Sequence, residues 1–192
     1  ALLPALFAWI LASVKKYPPL VTFVIIYAIG TFIFFNTASV SSKLNLPASI
    51  SKKQWDFKQL PTASTYIALD SLAPTFKSFA LNAPQAINRS LLRPYLTDIK
   101  LSKALLPQSI ELFFYELLLL IFIFFKNKTS KSDTFILFSL FFSLSVMLII
   151  GYTIPIIGAI VRYRSIYFPF LITPIVCNIN WGKIKASLQI KK

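Results

Sequence analysis

Residues 106–125 read LPQSIELFFYELLLLIFIFF. A helix crossing a bilayer needs about 20 predominantly apolar residues, and this run of mostly Leu, Ile and Phe supplies them. Two acids, Glu111 and Glu116, interrupt it, so the segment is at once a span and a candidate site. Working outward, 18–35 is an uninterrupted apolar stretch after a Lys pair. Residues 134–150 start after Asp133 and stop at Gly151, a suitable residue just past a helix end. Residues 158–181 form the last span, in which Pro169 and Pro174 predict a kink. Residues 1–14 are apolar but too short to cross. A signal peptide would carry a starting Met, a basic region and a small-residue cleavage site. Ala1-Leu-Leu-Pro4 running into Lys15-Lys16 reads instead as the end of a partial first span, so the chain is expected to be part of a longer membrane protein. The expectation is an all-α polytopic membrane protein with about four full transmembrane helices plus a partial first one.

Composition agrees. The 192 residues are 56% apolar and 14% charged, with a mean hydropathy of +0.70, against about 45–50% and 25% in soluble domains. Nineteen Phe stand against four Gly. Histidine is absent, which excludes a Ser-His-Asp triad, a His-ligated metal and a histidine pH switch. Cys177 is alone, so neither an intrachain disulfide nor a thiolate zinc cluster can form. Neither a metal nor a cofactor is implied.

The net charge of +14 would suggest nucleic acid in a soluble chain, but here the bases track the spans and no dedicated patch forms. Lys15 and Lys16, Lys126, Lys128 and Lys131, and Lys183, Lys185, Lys191 and Lys192 occupy three short segments that alternate onto one side. The short loop on the other side holds only Arg162 and Arg164. The long loop 36–105 does not vote, because long loops translocate regardless of charge. The positive-inside rule then puts the basic tail, 182–192, in the cytoplasm and the long loop outside. The tail would also hold anionic inner-leaflet lipid, and Asn178, Asn180 and Trp181 read as interface anchors.

A seventy-residue connection is too long for a plain linker. Its first half, 37–65, is rich in Ser, Lys and Pro and reads as irregular. Its second half reads as short interfacial helices, with Pro74 and Pro84 as first-turn residues and Pro94 as a stop. Leu69, Leu72, Phe76 and Phe79 recur at helical spacing and would form one apolar face.

Six residues are candidates for chemistry. Arg89 and Arg93, four apart, share a helix face, and a guanidinium grips phosphate or carboxylate in two places. The alternative is a pair of interfacial arginines touching lipid headgroups. Arg162 and Arg164 lie on the side that the charge rule keeps poor in bases, at or inside the hydrocarbon boundary, where ionisable groups face a partner or a water-filled cavity. Glu116 is the intramembrane acid, about 14 Å into its span. Glu111 sits nearer the outer surface. Five residues turn a helix by about 500°, so the two acids face different directions and do not form an acid/base pair. Each acid is neutral or paired, with Arg162 or Arg164 as the natural partner; a buried ion pair that merely fixes packing is the competing explanation. Asn88-Arg-Ser90 and Asn127-Lys-Thr129 match the glycosylation sequon at chance level.

Three motifs carry a resemblance: Ile87-Asn-Arg-Ser-Leu-Leu-Arg-Pro94, then Ser109-Ile-Glu111 opening a span, then Gly158-Ala-Ile-Val-Arg-Tyr-Arg-Ser165 leading to Phe168-Pro-Phe-Leu171. In their order relative to the spans, over residues 83–174, they resemble the C-terminal portion of bacterial polytopic membrane proteins of surface-polysaccharide assembly. The resemblance implies a role with polyprenyl-phosphate-linked sugars at the outer face, of the lipid-linked-sugar glycosyltransferase or polymerase kind. It makes Arg89, Arg93, Arg162 and Arg164 the substrate-binding positions and Glu111 the catalytic carboxylate. The early acidic extracytoplasmic loop of such glycosyltransferases is not visible in this sequence. Two other functions compete: a non-catalytic subunit docking other membrane subunits, and a lipid or solute transporter fragment. The sequence has no inverted repeat to favour the latter.

Overall fold

The computed structural model describes residues 2–14, 17–40, 44–60, 63–127 and 134–189. Eight α-helices occur among them: α1 (Leu2–Val14), α2 (Pro19–Val40), α3 (Leu46–Lys58), α4 (Phe76–Leu92), α5 (Leu106–Phe125), α6 (Thr134–Thr153), α7 (Ile157–Cys177) and α8 (Trp181–Gln189). Two short 3-10 turns, Leu96–Lys100 and Lys103–Leu105, lead into α5. The described residues contain no strand, only two isolated bridges. The chain is an all-α polytopic membrane protein. Four helices, α2, α5, α6 and α7, are long and apolar enough to cross a bilayer, each about 30 Å or more at 1.5 Å per residue.

The spans are not equivalent. In α6, 44% of the span is buried, against 22% for α7, 11% for α5 and 6% for α2. Thus α6 is the central post and the others present apolar faces to lipid. The short helix α1 packs between α2 and α6 through Ala5, Ala8 and Ala12, all buried. Small residues at this spacing let helix backbones approach closely, and Phe23, Phe138 and Phe142 fill the space around them.

Gly151 is not a helix stop. None of the described glycines has a positive φ, so the left-handed cap expected there does not form, and α6 runs on to Thr153. The reason for glycine is a crossing: a Cβ at 151 would stand 2.7 Å from Ala86 Cα and closer still to its carbonyl. Helix α4 therefore lies directly on the backbone of α6.

Two backbone bridges set the relative sides. Ile67 donates to the Pro155 carbonyl at 2.6 Å and Ile157 to that of Thr65 at 3.0 Å, tying the long loop to the α6–α7 turn. Asn127 donates to Asn178 at 2.9 Å and Asn180 to Phe125 at 2.8 Å, tying the end of α5 to the α7–α8 junction. The molecule thus has a loop face and a tail face. The last span ends at Cys177 rather than 181, because Asn180 starts a new helix by accepting the Lys183 N–H at 3.0 Å. Of the basic residues read from sequence, Lys15, Lys16, Lys128, Lys131, Lys191 and Lys192 lie outside the described residues.

The long loop departs from expectation in both halves. Its first half contains α3, started by Asn45, whose side chain accepts the Ala48 N–H at 3.0 Å, with a proline in the first turn. In the second half a single helix, α4, replaces the pieces expected between prolines. Thr75 caps it and Pro84 lies inside it, while Arg93 ends it before Pro94. Leu69 and Leu72 are buried in a non-helical segment, and Phe79 is buried on α4, but Phe76 is 63% exposed. Leu72, Phe79 and Ala86 pack with Tyr152 of α6. Gln54 of α3 locks this arrangement. Its amide donates to the carbonyls of Asp70 (3.1 Å) and Tyr152 (2.8 Å) and accepts from Leu72 N–H (2.9 Å), satisfying three of the four hydrogen bonds an amide can make.

Candidate functional site

The last turn of α4 leaves carbonyls without intrahelical donors. Arg164, in the second turn of α7, supplies them: Nη2 donates to Ser90 O at 3.2 Å and also to Arg93 O. The Tyr167 hydroxyl donates to the same Ser90 oxygen at 2.8 Å. A cation at a helix C-terminus is also favoured by the helix dipole. The guanidinium lies 5.1 Å from the Phe168 ring centroid, and Arg164 is only 7% exposed. Its Nε has no hydrogen-bond partner among the described residues, so the guanidinium is anchored at one corner and keeps a donor unspent.

Beside it, between α5 and α7, is a cavity of about 380 Å³. Glu111, Tyr115, Arg164, Ser165 and Thr173 supply its polar lining, and Phe168, Pro169 and Ile172 much of the rest. Glu111 and Tyr115 stand one turn apart on α5, and the Tyr115 hydroxyl donates to Glu111 Oε1 at 2.9 Å. Pro169 has no N–H to offer the Ser165 carbonyl four residues back, which adds an acceptor to the wall. Glu111, Ser165 and Pro169 are exposed, so the cavity opens at the surface between the two helices. Arg164 is seven residues into α7 and Glu111 five into α5, about 10 and 8 Å along their axes. Counted from the loop-side ends of the two helices, these depths correspond to about a third of a hydrocarbon core about 30 Å thick.

The other candidates separate into distinct roles. Arg89 is 8% exposed and donates to Ala68 O at 3.0 Å, holding the segment that bridges to α7. Burial pushes its pKa below the usual arginine value, nearby Asp70 opposes that shift, and Arg93 adds to it. Arg93 pairs with Asp98 at 3.5 Å and lies 5.1 Å from the Tyr95 ring centroid; only its carbonyl reaches Arg164. Two residues before Arg164, Arg162 is exposed on another face of α7. Glu116 is exposed on α5 and does not line the cavity. The structure therefore brings Arg164 and Glu111 to one cavity, with Arg93 tied behind it, and leaves Arg162 and Glu116 outside.

Sequence reasoning missed Tyr115, Ser165 and Tyr167. Tyr115 was findable, since it stands four residues after Glu111 on one helix. Tyr167 and Ser165 carried no signal, because their roles depend on what α4 and Pro169 place beside them. No known family, curated protein or solved structure matches the chain.

Proposed function

We propose that this chain is part of an integral membrane protein of cell-envelope glycan assembly. In this reading it handles a polyprenyl-phosphate-linked sugar at the outer face of a bacterial inner membrane, with the basic tail in the cytoplasm. The observation that supports the reading is the lateral cavity in the loop-side third of the span. It combines one buried guanidinium, one carboxylate and hydroxyl groups with an apolar remainder. A lipid-linked substrate has the matching construction: an apolar chain in the bilayer, an anionic phosphate at its boundary, and hydroxyls beyond. The sugar itself rests on the resemblance over residues 83–174.

Arg164 would hold the phosphate and Glu111 would face the sugar or its acceptor. For transfer, the Glu111 carboxylate takes the proton from an acceptor hydroxyl as that oxygen attacks the anomeric carbon. The bond from that carbon to the lipid diphosphate breaks, and Arg164 stabilises the departing anion.

Binding of a polyprenyl diphosphate to the purified protein, followed by native mass spectrometry, tests this. Arg164→Lys keeps a positive charge at the end of α4 but loses the fork, and is expected to weaken binding about tenfold or more, the scale of one charge-assisted hydrogen bond. Because Arg164 also caps α4, the variant's melting temperature should fall, but by less than that of Arg164→Ala, and binding is compared at a temperature where wild type and variant are both folded. Arg162→Ala should bind almost as the wild type does. Equal binding by wild type and Arg164→Lys would overturn the reading.

A second reading, a subunit of a larger membrane complex, is favoured by one observation: Glu116 is exposed midway along a spanning helix. A carboxyl there is costly in lipid unless another protein surface covers it.

A further inference from the structure

On the tail face, a groove of about 410 Å³ runs between α5, α6 and α7. Its walls are apolar: Leu119 and Phe122 of α5, Leu140 of α6, and Phe170 and Leu171 of α7 among them. At its mouth stand Lys126, directly after α5, and Asn178, directly after α7. The paired backbone of Lys126 and Ile179 fixes the two helix ends beside one another, so the mouth is built rather than accidental. From Lys126 to Leu119 the groove extends about 10 Å along α5, within one leaflet of a core about 30 Å thick.

We infer that this groove binds an acyl chain of an anionic phospholipid from the tail-face leaflet, with the lipid phosphate on the Lys126 ammonium. Charge selects this occupant. Lys126 stands near the Phe122 ring, 5.9 Å from its centroid, and pairs with no acid among the described residues. Exposed Lys183 and Lys185 follow on α8. In the sequence, the α5–α6 connection and the C-terminal tail carry Lys128, Lys131, Lys191 and Lys192 against Asp133. A neutral lipid would fill the apolar walls equally well but would leave that positive mouth uncompensated. The site lies at the opposite membrane face from the Arg164 cavity and is independent of the function proposed there.

The test uses the full chain in nanodiscs containing equal phosphatidylglycerol and phosphatidylcholine, released for native mass spectrometry. The wild type is expected to retain phosphatidylglycerol in preference to phosphatidylcholine. Lys126→Gln should reduce that preference about fivefold, the factor given by one basic residue at an anionic surface. Lys183→Gln, away from the groove, should change it less. Leu140→Trp, at a residue 40% exposed in the groove wall, should displace the retained lipid. Equal retention of the two lipids by the wild type would overturn the site. So would equal losses in Lys126→Gln and Lys183→Gln, which mark diffuse attraction to the charged face. Lys126 lies at the surface end of α5, so its variant decides the matter even if Leu140→Trp fails to fold.

Discussion

A glycine, an amide and an arginine carry much of the contact between the long loop and the bundle. Gly151 permits α4 to cross α6 at backbone distance. Gln54 joins three chain segments with one side chain. Arg164 closes the end of α4. The first makes the sharpest prediction, because an added methyl group would meet the Ala86 backbone and not a side chain able to move aside. Gly151→Ala is expected to destabilise the protein by about 1–3 kcal/mol, the usual cost of overpacking, read as a lower melting temperature in the same detergent. Ala in place of Gly raises helix propensity by about 1 kcal/mol, so an unchanged or raised melting temperature would show that the two helices do not cross there.

Among the elements, α5 is the span that keeps a carboxylate on a face its own chain leaves open. It touches α7 on one side, while Phe113, Phe114, Leu117, Leu120 and Phe124 remain exposed to lipid. Glu116 is exposed in this apolar environment. Nothing in the described chain pairs with it, so Glu116→Leu is expected to leave the melting temperature of the purified chain unchanged or raised. In native membranes the same change should lower the steady-state amount of the protein, because a partner helix loses its polar contact. Glu116→Gln should largely preserve it, since a hydrogen bond survives. If Glu116→Leu accumulates normally in native membranes, the reading of α5 as a partner-binding helix is wrong.

At the scale of the whole molecule, the two backbone bridges and the four spans leave one binary unknown, which face is outside. The short basic segments predict that the tail face is cytoplasmic. Cysteine labelling checks this after Cys177→Ser removes the native exposed thiol. Lys53→Cys on α3 and Lys185→Cys on α8 place probes at exposed positions on the two faces. A membrane-impermeant maleimide added to intact cells is expected to label position 53 and not 185. The reverse pattern would place the Arg164 cavity at the inner leaflet, and labelling of both would overturn the four-span threading.

The sequence by itself determined the number of spans, their order and the side each connection shares. Those follow from one-dimensional quantities: twenty apolar residues are needed to cross hydrocarbon, and successive spans must alternate. It also marked Arg164 and Glu111, because charged residues near or within apolar runs are conspicuous. Only the tertiary structure decided which charges meet. Arg162 and Arg164 are indistinguishable by position in the chain, yet two residues rotate a helix by about 200°, so one is buried against α4 and the other faces outward. Helix α3 was obscured because its polar Ser and Lys residues mask the cap at Asn45 and because its key buried residue is an amide, Gln54, which no hydrophobic pattern reveals. Gly151 looked like a stop because glycine serves both for a left-handed cap and for close backbone approach. Ala86, 65 positions earlier in the chain, decides between the two uses, and that proximity exists only once the helices are packed.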